Sequence, residues 1–123
     1  MTEARFGRLG LILFVAVVGA LSTRSVVAQS MLKDVGCAQE NSLRSLEGAT
    51  STNIIFVNQS EITIRTYWLN YEGRRVFYAE VPPGKNYVQQ TYVTHPWVIT
   101  NNRSGDCVAI YEPLPFDSIV VIR

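Results

Sequence analysis

Residues 62–73 read ITIRTYWLNYEG, and this segment indicates how the chain folds. From Ile62 to Leu69 the residues form two alternating sets, of which one consists of Ile62, Ile64, Thr66 and Trp68 and the other of the residues between them. This period of two predicts a β-strand with one face on a core. Asn70–Gly73 is typical of a hairpin turn, and a second strand is predicted over 74–78. The same period of two predicts five more strands, at 54–57, 87–92, 96–100, 107–111 and 118–122. Short strands at this spacing predict an all-β protein, a small seven- to eight-stranded β-sandwich.

The chain of 123 residues is long enough for one domain. We assign the β-sandwich domain to 53–123, preceded by an N-terminal extension over 29–52. Within the extension, Ser42–Leu46 is predicted to form one helical turn, which ends at Gly48. Further on, Pro82-Pro83-Gly84 is expected to interrupt strand pairing, because proline lacks the backbone N–H. No segment after residue 50 has the period of a long amphipathic helix.

The first 28 residues have the pattern of a secretory signal peptide. Basic residues precede an apolar run from Leu9 to Leu21, which is shorter than the ~20 residues of a membrane-spanning helix. We expect cleavage after Ala28; the alternative is an uncleaved N-terminal anchor. Cleavage removes three basic side chains and one acidic one, so the net charge changes from +1 to −1. The sequence thus predicts a secreted or periplasmic protein, with no attraction to nucleic acid and no membrane contact after cleavage.

The two cysteines, Cys37 and Cys107, both lie in the predicted mature chain. An even number of cysteines in an exported protein indicates a disulfide. A bridge that closes so long a loop stabilises a fold by ~4 kcal/mol in the chain-entropy model. The alternative is a redox or metal-binding pair. Because the sequence has no CxxC and a single histidine, we expect no metal site and no cofactor.

Aromatic residues are concentrated in one stretch of the predicted sandwich. This stretch contains Tyr67, Trp68, Tyr71, Phe77, Tyr78, Tyr87, Tyr92 and Trp97. The single histidine, His95, lies in it too. On composition alone, the first interpretation is that these aromatic side chains pack the core. Tryptophan and tyrosine are also suited to the walls of a binding pocket, because they are large and rigid and carry one polar group.

The order of these residues resembles the β-domain of the von Hippel–Lindau tumour suppressor family. The matching blocks run from Leu43 to Trp97 in register without a gap. They are LRSL at 43–46, NIIFVNQS at 53–60, YWLNYEG at 67–73, Tyr78, PPG at 82–84 and TYVTHPW at 91–97. This spacing is specific, and the resemblance implies a β-sandwich of the von Hippel–Lindau β-domain type.

In that family the β-domain holds a 4-hydroxylated proline within an extended peptide. The resemblance therefore implies an aromatic box for the proline ring and a polar pair for its hydroxyl. The box residues are Trp68, Tyr78 and Trp97, the polar pair is Thr91 and His95, and the secondary peptide contacts are Gln90 and Tyr92. A rigid ring stacks on indole at little entropic cost, and buried polar groups reject a ligand that leaves them unpaired.

The chain departs from the family at several positions. The family's serine is Thr91 here, which keeps the hydroxyl but adds a methyl group, and the family's histidine before it is Gln90. Upstream, polar residues that contact the peptide in the family correspond to Glu47 and Ala49 here, and these two residues do not match the family's residues. The sequence ends at Arg123, before the family's helical domain that recruits elongin C for ubiquitin ligation. We therefore expect neither elongin C as a partner nor a ubiquitin-ligase role.

Three functions agree with these observations. We favour an exported module that binds an extended proline- or hydroxyproline-containing peptide or protein. The alternatives are a structural or assembly protein whose aromatics only pack the core, and a secreted effector or inhibitor that uses a sheet edge. An enzyme is not expected, because no nucleophile motif accompanies His95 and the cysteines are predicted to be oxidised.

Overall fold

The computed structural model describes residue 10, residues 12–20 and residues 31–123. This part of the chain contains one short 3₁₀ helix, Cys37–Ser42, and seven strands. The strands are β1 Ser51–Asn58, β2 Ile64–Leu69, β3 Arg75–Val81, β4 Asn86–Tyr92, β5 Trp97–Asn101, β6 Cys107–Tyr111 and β7 Ser118–Ile122. They form two sheets, of order β4-β1-β7 and β3-β2-β5-β6. The two sheets pack on a shared core, so the predicted all-β sandwich is confirmed.

Each predicted strand corresponds to an observed strand, with differences of a few residues at the ends. Pro82-Pro83-Gly84 lies where the chain leaves β3 in the larger sheet for β4 in the smaller one. The predicted helical turn at Ser42–Leu46 is wrong, because Leu43 is already extended and the helix precedes it. Ser45 and Leu46 donate their backbone N–H groups to the Asn70 and Thr94 carbonyls instead. These partners are distant in sequence, so local propensity could not reveal them.

The main core lies between the sheets and follows the alternation of the strands. In β1 every second side chain is buried, from Thr52 through Ile54 and Phe56 to Asn58. The core side chains that pack with Ile54 and Phe56 are Leu32, Ile64, Val81, Trp97, Ile99, Ala109, Tyr111, Val120 and Ile122. The ring centroids of Phe56 and Trp97 are 6.4 Å apart. Trp97 therefore belongs to the main core, which agrees for this residue with the interpretation that the aromatic side chains pack the core.

A strap, residues 34–48, crosses the outer face of the larger sheet. Val35 and Leu43 of the strap pack on a second apolar cluster on that face, formed by Leu69, Val98 and Ile110. Because side chains alternate along a strand, these residues face away from the main core. The strap thus covers an apolar surface that the sandwich alone would leave in water.

Two links fix the start of the strap. The predicted disulfide between Cys37 and Cys107 is present, with Cα atoms 5.8 Å apart, and joins the strap to β6. The guanidinium of Arg75 on β3 makes a two-pronged ion pair with Glu40, in which Nη2 lies 2.9 Å from Oε2. Parts of the predicted extension over 29–52 therefore pack on the sandwich, and the boundary at residue 53 stays a prediction.

Residues 12–20 are exposed and contain no helix. No helix in the described part of the chain is long and apolar enough to cross a membrane. The predicted cleavage site after Ala28 lies outside the described residues.

Candidate functional site

A recess of about 320 Å³ opens between the two sheets. Its lining residues are Trp68, Tyr71, Tyr78, Gln89, Gln90, Thr91, Tyr92, His95 and Trp97. Among the described residues, β3 and β4 are the end strands of their sheets, so the recess lies between two strand edges that carry no neighbouring strand. The structure brings all the sequence-predicted ligand residues together in this recess. Whether they bind a ligand stays a prediction.

Two lining residues were not predicted, Tyr71 and Gln89. Tyr71 belongs to the turn between β2 and β3, and its aromatic character was the signal that could have identified it. Gln89 lies two positions before Thr91 on β4, and both side chains are buried while Gln90 between them is exposed. The period of two along a strand could therefore have placed Gln89 beside Thr91.

The rear of the recess is formed by Trp97 and Thr91, which belong to opposite sheets. The indole Nε1 of Trp97 donates a hydrogen bond to the Thr91 hydroxyl at 2.8 Å. Both residues are buried, with 2% and 3% of their surface exposed. A threonine hydroxyl accepts two hydrogen bonds and donates one. Because the indole uses one acceptor position, the Thr91 O–H remains able to donate to a third group.

His95 follows a strained turn between β4 and β5. Its backbone N–H donates to the Tyr92 carbonyl at 3.1 Å, and Thr94 within this turn has a φ of 81°. Positive φ is rare for a β-branched residue and costs of order 1–3 kcal/mol. The turn carries that cost while it directs the imidazole toward the recess.

The protonation state of His95 follows from its surroundings. Its Nε2 lies 3.1 Å from the Leu46 carbonyl, which can only accept, so Nε2 carries the hydrogen. Burial lowers the pKa of His95 below the usual 6.5, and the hydrogen bond to Leu46 opposes this shift without cancelling it. The imidazole is therefore neutral near pH 7, and its Nδ1 is an acceptor.

Aromatic rings surround these polar groups. Trp68 lies 5.4 Å from the imidazole of His95 at an angle of 34°, and Tyr71 meets both rings edge-on. On the other side, Tyr78 packs edge-on against Trp97 with centroids 4.9 Å apart. Tyr71 and Tyr78 are each about half exposed. The recess thus has rigid aromatic walls and a polar rear, which suits a compact apolar ring with one polar substituent.

The end of the strap holds the recess residues from behind. The hydroxyl of Ser45 accepts a hydrogen bond from the indole Nε1 of Trp68 at 2.6 Å and donates its own hydrogen to the Leu69 carbonyl. Leu46 supplies the carbonyl that His95 contacts. At Gly48, a Cβ atom would lie 2.5 Å from the Tyr92 Cβ, so only glycine fits there. The strap therefore connects the disulfide to the orientation of Trp68 and His95.

The described residues contain no group of three or more side chains arranged to hold a metal ion. The polar side-chain groups of the residues that line the recess are hydroxyl, amide, imidazole and indole N–H groups. Such groups form hydrogen bonds with a neutral ligand.

Comparison with protein families identifies a known domain in this chain. The profile of the VHL beta domain matches residues 43–113, which is more than half of the chain and includes every residue that lines the recess. Members of the VHL β-domain family bind protein or peptide partners through this substrate-binding domain. The chain therefore belongs to the VHL beta domain family.

Proposed function

We propose that this protein is an exported binding module whose recess holds the ring of a 4-hydroxyproline within an extended peptide. The observation that carries the proposal is that one aromatic recess is lined by two residues with unused hydrogen-bonding capacity, a donor on Thr91 and an acceptor on His95. The donor is the Thr91 O–H, and the acceptor is Nδ1 of neutral His95.

A hydroxyl group is complementary to this pair, because it donates one hydrogen bond and accepts others. It donates to His95 Nδ1 and accepts from the Thr91 O–H. A proline in the same position leaves both protein groups without a partner and without water. An unmade buried hydrogen bond costs ~1–3 kcal/mol, so the recess discriminates against unmodified proline.

The aromatic walls suit the rest of the ring. The pyrrolidine ring is rigid and apolar, and it loses little conformational entropy when it packs against Trp68, Tyr78 and the edge of Trp97. Because Tyr78 is about half exposed, the recess is open to a ligand that arrives from solvent.

The edge of β4 supports an extended ligand. In the described part of the chain β4 pairs only with β1, so its other edge offers backbone N–H and C=O groups beside the recess. Peptides often bind such edges as an added strand, with side-chain pockets providing specificity. Gln90 and Tyr92 lie on this strand and are exposed, which suits their proposed role as secondary contacts.

Export is part of the proposal. Its support is the signal-peptide pattern of residues 1–28 together with the disulfide, since disulfides persist in oxidising compartments. A peptide ligand in that setting is a secreted or cell-wall protein rich in hydroxyproline. A ubiquitin-ligase role is not part of this proposal.

The test is calorimetric titration of residues 29–123 with one extended peptide in two forms, containing proline or 4-hydroxyproline. We expect the hydroxylated form to bind more tightly by ~1–3 kcal/mol. Equal affinity for both forms, or no binding of either, would contradict the proposal. Either result would favour the alternative that the aromatic residues only pack the core. Acrylamide quenching then reports whether Trp68 is accessible, since Trp97 is buried and contributes a fixed background.

A further inference from the structure

Gln89 lies in the recess beside Thr91 and has hydrogen-bonding capacity that its contacts do not use. Only 7% of its surface is exposed. Its Oε1 accepts from the Tyr87 hydroxyl at 3.1 Å, and its Nε2 donates to the Gln90 carbonyl at 2.7 Å. A carboxamide nitrogen carries two hydrogens. Among the described residues the second hydrogen has no acceptor.

The orientation of the Gln89 amide is fixed from one side. The Gln90 carbonyl can only accept, so it identifies the end of the amide that carries the NH₂ group. Tyr87 and Gln89 both face inward from β4, where Tyr87 packs against the main core. The second N–H group of the Gln89 amide therefore has a fixed orientation.

The spacing between Gln89 and Thr91 matches the repeat of an extended peptide. Two positions along a strand separate side chains on one face by about 7 Å. An extended peptide beside β4 presents its own side chains on one face with the same repeat. A peptide whose ring residue reaches Thr91 therefore brings a side chain two positions away to Gln89.

We infer that Gln89 selects peptides with an uncharged oxygen acceptor two residues from the hydroxylated ring. This inference rests on the proposed function and deepens it, because it defines a second specificity position in the same ligand. Suitable side chains carry an amide or hydroxyl oxygen, such as asparagine, threonine or a second hydroxyproline. A carboxylate is disfavoured there, because the described recess residues include no cation to offset its desolvation.

The experiment uses hydroxyproline peptides with asparagine or its near isostere leucine, placed two residues before or two residues after the ring. For wild-type protein, we expect asparagine to bind about 3- to 10-fold more tightly than leucine at one of these two positions, the effect of one net hydrogen bond. The Q89L variant should lose this preference while it keeps the preference for hydroxyproline over proline. The matched control is Val88→Ala, an exposed position on the outer side of the same strand, which should keep both preferences.

A second variant guards against misfolding of Q89L. Gln89→Met has a similar length and flexibility and removes the amide donor without introducing a charge, so it should also lose the preference for asparagine. If neither peptide position distinguishes asparagine from leucine, or if Q89L retains the preference, this inference fails while the proposed function stands. If the wild-type protein does not distinguish hydroxyproline from proline, the proposed function fails and this inference fails with it.

Discussion

The indole N–H of Trp97 donates to the hydroxyl of Thr91 at 2.8 Å across the gap between the two sheets. This bond joins β5 to β4 at the rear of the recess, where both residues are buried. The bond has two consequences. It gives the buried indole N–H an acceptor, and it fixes the position of the Thr91 hydroxyl oxygen. The same contact therefore contributes to fold stability and to the proposed ligand site.

Replacing Thr91 with valine should separate these consequences. Valine keeps the shape but removes the hydroxyl that accepts from the indole N–H, so the free energy of unfolding should decrease by ~1–3 kcal/mol. Urea unfolding followed by circular dichroism measures this change. The same variant should show a smaller preference for hydroxyproline over proline, because the Thr91 donor is lost while the His95 acceptor remains.

Thr91→Ser is the matched control. It keeps the oxygen and removes one methyl group, so we expect it to retain most of the preference for hydroxyproline. Near-native stability of Thr91→Val would mean that water or another group replaces the lost acceptor.

The pH dependence of stability should report on His95, the only histidine in the chain. Burial lowers its pKa in the folded protein, so the unfolded chain binds the proton more strongly. The free energy of unfolding is therefore greatest above the ordinary pKa of ~6.5 and decreases as the pH falls from there through the lower folded pKa. Thermal or urea unfolding between pH 7.5 and pH 5 checks the direction.

Protonation of His95 should also reduce ligand discrimination. It places a hydrogen on Nδ1, which then no longer accepts from a ligand hydroxyl. Peptide titration over the same pH range should show the preference for hydroxyproline decreasing toward low pH. In the His95→Asn variant both trends should flatten; a persistent stability trend in that variant would assign it to carboxyl groups instead.

Gly48 should not tolerate even alanine. The new Cβ would lie 2.5 Å from the Tyr92 Cβ and 3.0 Å from Nε2 of His95, so the strap or the turn has to move. Crowding of a packed site costs ~1–3 kcal/mol, and we expect a loss of stability of that size with weaker binding of the hydroxyproline peptide. Thr50→Ser, at a neighbouring exposed position, is the control and should have little effect. Wild-type values for Gly48→Ala would show that the strap shifts at no cost.

The sequence predicted the strands well because their signal is local. Alternation identified each strand within a few residues, and Cys107–Tyr111 and Ser118–Ile122 were predicted with the observed bounds. The assignment of strands to sheets was not predicted, because β1 pairs with the distant β7 in parallel and nothing in either segment specifies the partner. Family resemblance supplied the ligand residues, which composition alone could not separate from core aromatics.

The role of residues 34–48 was missed for a related reason. This segment is polar and mixed in sequence, so it has no periodic pattern to interpret. Its contribution consists of single contacts to distant residues, such as Ser45 with Trp68 and Leu46 with His95. Gln89 was missed although the period of two was available, because a glutamine on a strand is usually taken as a solvent-facing residue.

Removing the disulfide should affect both stability and the recess. The bond between Cys37 and Cys107 closes a loop with a sequence separation of 70 residues, and in the chain-entropy model its loss costs ~4 kcal/mol. We expect the Cys37→Ser, Cys107→Ser double variant to unfold at markedly lower urea concentration. Because the strap orients Trp68 and His95, the double variant should also bind the hydroxyproline peptide more weakly under conditions where it is still folded. Treating the wild-type protein with a dithiol reductant should reproduce both effects, and the same reductant should leave the double variant unchanged.

If stability falls but peptide affinity does not, other contacts hold the strap in place without the disulfide. These contacts are the Arg75–Glu40 ion pair and the hydrogen bonds of Ser45 and Leu46.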